Sequence, residues 1–485
     1  MIPPGRVLAS GGGSRWPPVS DLQRSYHGPR RYTDGFMKPL PLALCLFAAS
    51  LALTAQEPSE LDRQLSDKIA DILKKSGAPS ASIAVVQDGK LAFVKAFGAT
   101  AEARYAVGSI SKQFTAAAIL LLEEQHRLSL DDKVAKYFPA LTRANEITIR
   151  QLLSHTSGYE DYAPQDYLIP AWTHPMSPQE ILEVWAKKPL NFDPGTKWQY
   201  SNTNYVIAAE IVDKTAEQKL VPFLKDRIFT PLKMESSDDC SVAFPYDTEG
   251  YTRYAGGPPR RVAREANGWY YGAGELCMTA YDVGLWDVAF LHKEILTAHS
   301  WDEFTGEVRL NNGDTTGYAL GLRVGEFHRI PTISHSGEVS GFLAANTLYP
   351  ARKAAIVVLT NEDGVDLIGP LTTEIATILF LPPEPPAAEK DTAQVKSVLE
   401  SLARGSIDRA LFTANANSYF SAQALGDIRQ SLAALGKLES VTRSSESQRG
   451  GMTHRGYHAV FRKKTVSLNI YVMPDGKYEQ FLVVE

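Results

Sequence analysis

Strand-like text stands at two widely separated places in this chain, and helical text fills the interval between them. The first place is Ala81-Ser82-Ile83-Ala84-Val85-Val86, followed by Asp88-Gly89 and then Leu91-Ala92-Phe93-Val94. An Asp-Gly step between two apolar runs is a strong hairpin cue, because both residues tolerate the left-handed backbone of a tight turn. The second place holds Thr332-Ile333-Ser334-His335 and Ala354-Ala355-Ile356-Val357-Val358-Leu359. Between about residues 130 and 300 the text is mostly helical, with Pro- and Gly-rich loops. A sheet built from both ends of one domain leaves its middle as an insertion. The pattern therefore predicts an α/β (α+β) fold: an antiparallel sheet flanked by helices, with an all-helical insertion. A further helix is expected over residues 61–75, ending at Gly77.

The flanks divide the rest of the chain. Residues 1–36 are rich in Gly, Pro and Arg, without an apolar period, and are expected to be a non-translated or disordered extension. Met37-Lys38 and the apolar run from Leu40 to Ala52 have the form of a secretory signal peptide over residues 37–55. Export follows as an expectation, to the periplasm or the extracellular space, with no stable membrane span once the signal is removed. The catalytic-type domain is expected over 56–381 and a stiff Pro-rich linker over 382–390. A small α+β accessory domain over 391–485 closes the chain, with helices first and alternating strands last. A net charge of −5 with no basic block argues against nucleic acid as a partner. Cys240 and Cys277 remain after signal removal, too few for a disulfide framework and free to form one bridge or none. The sequence leaves the oligomeric state open.

Chemistry concentrates in three short motifs. Ser109-Ile110-Ser111-Lys112 opens a strongly apolar helix. Residues three apart share a helical face, so the Ser109 hydroxyl can meet an amine able to take its proton. Alone the pair means little, since a chain of this length holds roughly two by chance. Tyr200-Ser201-Asn202 and His335-Ser336-Gly337 follow in order. Each member also has a bland reading: Ser109 as a helix cap, Lys112 as a solvated cation, Tyr200 as a core aromatic, Asn202 as a turn residue, His335 as a satisfied strand histidine. No histidine spacing suits a metal, and no cofactor is expected.

In their order, spacing and flanks the three motifs resemble those of the β-lactamase-related serine hydrolases, over about residues 60 to 380. That family spans class C β-lactamases, D-Ala-D-Ala carboxypeptidases, D-aminopeptidases and related esterases. Supporting text is Leu152-Leu153-Ser154-His155-Thr156-Ser157-Gly158 and Gly272-Ala273-Gly274-Glu275-Leu276. The resemblance implies an acyl-enzyme on Ser109. Lys112 would supply a positive field, and Tyr200, drawn toward phenolate by it, would pass protons between nucleophile and leaving group. Asn202 would hold the substrate's acyl amide, and the N–H groups of Ser109 and Glu338, the residue after Gly337, would hold the oxyanion. His155 is expected to be structural.

The third motif departs from the Lys-Thr-Gly usual in class C β-lactamases. Histidine titrates near pH 6.5, so carboxylate binding at His335 is expected to be weak or pH-dependent and β-lactam turnover slow. The substrate is expected to be small or a peptide: a D-amino-acid peptide, a β-lactam or a small ester. The alternative is a penicillin-recognising or binding protein of the same fold that does not turn over. Aromatics at Tyr159, Tyr162, Tyr167, Trp172, Trp269, Tyr270 and Tyr271 suggest an apolar cleft wall.

Overall fold

The computed structural model describes residues 59–165, 167–381 and 386–484; the expected extension and signal segment lie outside them. Six antiparallel strands form the main sheet, in the order Lys90–Phe97, Ala81–Gln87, Ala354–Thr360, Phe342–Tyr349, Ile330–Val339, Arg323–Phe327. Its two sources are those foreseen, one early hairpin and one late run of strands. Asp88 and Gly89 both take positive φ (52° and 74°), the backbone a two-residue hairpin turn requires.

The central strands are buried on both faces, which is why they are apolar without alternation. Successive side chains point to opposite sides. Ile83, Val85, Ile356 and Val358 join the core beneath the helices Glu60–Ser76 and Ile368–Phe380. Ala84, Val86, Val357 and Leu359 join the larger core, with the helices Ser111–Glu124, Asn202–Ala216 and Ala280–Leu291. The first helix opens on a reciprocal cap between Ser59 and Asp62 and stops at Gly77, whose φ is 70°.

The insertion is mainly helices and loops, but it also carries short strand pairs too brief to show a period of two. Leu276–Met278 lies between Tyr105–Ala106 and Asp238–Asp239. Cys240 and Cys277 are bonded, joining the outer strand's end to the middle strand. This small sheet leads directly into the Ser109 turn.

After residue 386 the helices Pro386–Ala403 and Ala422–Leu435 accompany a four-stranded antiparallel sheet in sequential order: Leu438–Arg449, Met452–Phe461, Thr465–Val472, Tyr478–Val484. Leu399, Leu402, Phe412, Ala459, Ile470 and Phe481 belong to a separate core. The strand Leu438–Arg449 carries almost no apolar residue, because it is a largely exposed sheet edge, and periodicity does not reveal it. Helix begins at Pro386, so residues 386–390 are helical rather than part of a stiff linker; residues 382–385 lie outside the described set. Among the described residues no helix is long and apolar enough to cross a membrane.

Candidate active site

The chain brings the three motifs to one cavity of about 480 Å³, lined by Ser109, Tyr200, Asn202, His335 and Glu338 among others. Ser109 lies in a single 3-10 turn, Gly108–Ile110, that feeds the helix Ser111–Glu124. It does not cap that helix, whose N-cap is Ile110 with no side-chain bond. Its neighbour Gly108 has φ 51°, and a Cβ there would stand 2.7 Å from Glu338 N. A Cβ on Gly337 would stand 1.9 Å from Val107 O and 3.0 Å from Ser109 N. Two glycines thus let the Ile330–Val339 strand cross the Ser109 turn at backbone contact, which brings the amides of Ser109 and Glu338 close together.

Lys112 is fully buried. Its Nζ donates to Ser109 Oγ at 2.8 Å, Asn202 Oδ1 at 2.8 Å and Ala273 O at 2.7 Å. Burial pushes its pKa down to about 7, against the pull of Asp161's negative charge. With a neutral amine, the two carbonyl oxygens take its two N–H groups and the lone pair is left for the Ser109 hydroxyl. Tyr200 lines the cavity with Ser109, near enough for that hydroxyl to affect its proton affinity, and its ring lies 4.9 Å from Lys112 Nζ. Loss of hydration raises the Tyr200 pKa, an effect larger than the lowering due to Ser109. Both shifts run against a field-stabilised phenolate: lost hydration favours the neutral form of the Lys112 amine and the protonated form of the Tyr200 phenol.

His335 also departs from expectation. It is buried, with Tyr318 Oη 2.8 Å from Nε2 and Ser336 O 2.5 Å from Nδ1. A neutral ring accepts from the phenol and donates to the carbonyl. Burial, reinforced by Lys112 and opposed by the Ser336 carbonyl, pushes its pKa down to about 3. A histidine held neutral offers no cation to a carboxylate at any ordinary pH. The only Lys or Arg that lines the cavity among the described residues is Arg323, an exposed side chain on the edge strand opposite Ser334. No motif surrounds Arg323, and only strand register places it at the site.

Asn202 opens the helix Asn202–Ala216. Its Nδ2 donates toward Asp161 at 3.2 Å and its backbone N–H toward Asp161 Oδ1 at 2.9 Å. Asp161 was not foreseen, because it sits in irregular loop text. His155 supports the site from behind: it is buried, its ring is 4.3 Å from that of Tyr200, and its Nδ1 accepts the Ser201 N–H at 3.2 Å. Of the expected aromatic wall, Tyr167, Trp172 and Tyr270 line the cavity, whereas Tyr159, Tyr162 and Trp269 are core residues. Among the described residues no cluster of ligating side chains could hold a metal ion.

The family model for beta-lactamase matches residues 65–373, so the chain belongs to the beta-lactamase family, a group of serine hydrolases. It is 30% identical over 283 residues to penicillin-binding protein 4* of Bacillus subtilis, covering 53% of this chain and 61% of that protein. It is 24% identical to the putative penicillin-binding protein PbpX of the same species, covering 65% and 78%. In fold it is similar to a D-stereospecific amidohydrolase from Streptomyces, with TM-score 0.58 and 23% identity over 66% of this chain and 99% of that one. The octameric penicillin-binding protein homologue of Pyrococcus abyssi gives the same TM-score at 20% identity, covering 86% and 94%.

Proposed function

We propose that this protein is a hydrolase that forms an acyl-enzyme on Ser109 from an amide or ester bearing a carboxylate on its leaving side. The observation that carries the proposal is the 2.8 Å contact between Ser109 Oγ and a buried Lys112 whose pKa is pushed to about 7. Neutral Lys112 takes the hydroxyl proton as Ser109 Oγ bonds to the carbonyl carbon. The oxyanion rests between the N–H groups of Ser109 and Glu338, an arrangement that typically contributes a few kcal/mol. As the C–N or C–O bond breaks, the Tyr200 phenol passes a proton to the departing atom and recovers one from Lys112. Water then repeats the sequence on the ester. Arg323, rather than His335, meets the leaving-side carboxylate.

Penicillin-like lactams and short D-amino-acid amides are candidate substrates, by analogy with the proteins named above. Export is part of the same proposal and rests on the signal-like segment 37–55. Intact-mass labelling with a fluorophosphonate and a fluorescent penicillin tests the nucleophile. One adduct is expected, absent from Ser109→Ala; equal labelling of that variant would remove the assignment.

A further inference from the structure

Lys112 takes its position in part from a short run of backbone, residues 272–278. The Ala273 carbonyl accepts from Lys112 Nζ at 2.7 Å and the Gly272 carbonyl from Thr115 Oγ1 at 2.7 Å. The Leu276 carbonyl accepts the Val107 N–H at 3.0 Å, and the Leu276 N–H donates to Ser111 Oγ at 3.2 Å. The run therefore touches the chain both before and after Ser109. Its two ends are fixed differently. At Gly272 a Cβ would stand 2.3 Å from that of Ala209, so the backbone lies directly against the helix Asn202–Ala216. At the other end Leu276–Met278 pairs with two strands of two residues each, Tyr105–Ala106 and Asp238–Asp239. Pairings so brief hold little by themselves. The Cys240–Cys277 bond reinforces the outer one, where the Cys240 N–H also donates to Glu275 O at 2.8 Å. Without that bond, two points 37 residues apart in the chain are joined here only by a few hydrogen bonds.

The bond is also within reach of a reductant. Cys277 is fully buried, but Cys240 is only partly buried and lines a second cavity of about 280 Å³. That cavity shares Glu265, Tyr270 and Val339 with the one that holds Ser109, so a single layer of side chains divides them. Arg264 lines it as well, with Nη1 3.8 Å from Cys277 Sγ. A thiolate entering there attacks Cys240 Sγ; the S–S bond breaks and Cys277 leaves as a thiolate beside the guanidinium. A second thiol of the reductant then displaces Cys240, and the reductant departs as a disulfide.

We propose that the Cys240–Cys277 bond is a positioning cross-link: it keeps the Ala273 carbonyl on the Lys112 amine, so that full acyl-transfer activity belongs to the oxidised chain and reduction by a dithiol lowers it. The inference rests on the reading of Ser109 as nucleophile with Lys112 as its base, and the test separates the two. Peptide mapping by mass spectrometry assigns the pairing in the full chain. Fluorophosphonate labelling of Ser109 is timed from about pH 5 to 9 for the oxidised chain, for the chain reduced with dithiothreitol and desalted without air, and for Cys240→Ser. Circular dichroism and denaturant melts follow the fold of each.

Reduction and Cys240→Ser should each slow labelling near neutral pH by at least about tenfold while the fold persists, since a small misplacement of a catalytic group is enough to do so. The acid limb should move to higher pH as well. Water admitted behind Lys112 undoes part of the desolvation that holds its pKa at about 7, so less of the amine is neutral at a given pH. Asp161, Tyr200, Tyr205, His155 and His335 face the amine from its other sides, and none belongs to the cross-linked run. Reoxidation should restore rate and limb together. A reduced, folded chain labelled at the oxidised rate with the same limb overturns the proposal, as does an active chain in which mapping finds Cys240 and Cys277 unpaired. Labelling lost only in step with global unfolding also overturns it, because the bond would then be a structural staple alone. Absence of Ser109 labelling in the oxidised chain would overturn the acyl-transfer reading itself.

Discussion

The molecule's two large cores around the site and after residue 386 treat charge in opposite ways. Around the cavity Lys112, His155 and His335 are buried, as is Asp287 in the same core, and each has its pKa moved toward its neutral form by lost hydration. In the second core no Lys, Arg, His, Asp or Glu is buried among the described residues; Ile470, Ala459 and Leu399 fill it instead. Burying an ionisable group costs stability, and groups with altered proton affinity cluster at functional sites. The first region retains buried ionisable groups beside a cavity, whereas the second, among the described residues, has an apolar core and a polar outer strand.

The largest effect should come from the nucleophile. Ser109→Ala is expected to abolish covalent labelling and lower turnover by at least about 10⁴-fold, as removal of such a residue does elsewhere; intact-mass spectrometry reads the first and steady-state kinetics the second. Next is the base. Lys112→Met should slow acylation by about 10³-fold.

The same group governs pH. Because Lys112 acts as the neutral amine and its pKa is lowered to about 7, kcat/KM should fall about tenfold per pH unit below 7 and level off above it. A profile flat down to pH 5 would contradict that. His335, down at about 3, should add no limb between pH 5 and 8. A smaller effect is expected at the cavity edge: Arg323→Gln should raise KM about tenfold for a carboxylate-ended substrate relative to its amide-capped twin, with kcat little changed.

The smallest effect on chemistry should come from the second core. Ile470, fully buried, sits in its sheet, and Ile470→Ala should destabilise that core by about 2–5 kcal/mol. Denaturant melts read the loss, and the rate of Ser109 labelling should stay within about twofold. Labelling that slows in step with the melting would show that the two regions are coupled and break the comparison.

Much of this was legible in the text of the chain. The hairpin at Asp88-Gly89, the strand Ala354–Thr360 and the helix behind Ser109 are short-range patterns, in which turn chemistry and apolar runs decide the conformation. The motif residues Ser109, Lys112, Tyr200 and Asn202 stood out through the resemblance that the order, spacing and flanks of three motifs carry, not through any one pattern. Asp161, Glu265 and Arg323 did not, since each is an ordinary charged residue in loop or edge-strand text. The edge strand Leu438–Arg449 was hidden for a related reason: with little to bury, it has no period to betray it.

The sequence by itself determined the family, the sheet built from both ends of a domain, and the identity of the hydroxyl, amine and phenol. Tertiary structure alone decided their protonation and the polarity of the cavity. Proton affinity depends on how much water a group loses and which charges face it, and neither is a property of neighbours along the chain. That is why His335, a plausible cation on paper, is a buried neutral ring in the fold, and why Lys112, a strong base in water, is held near pH 7 beside the serine.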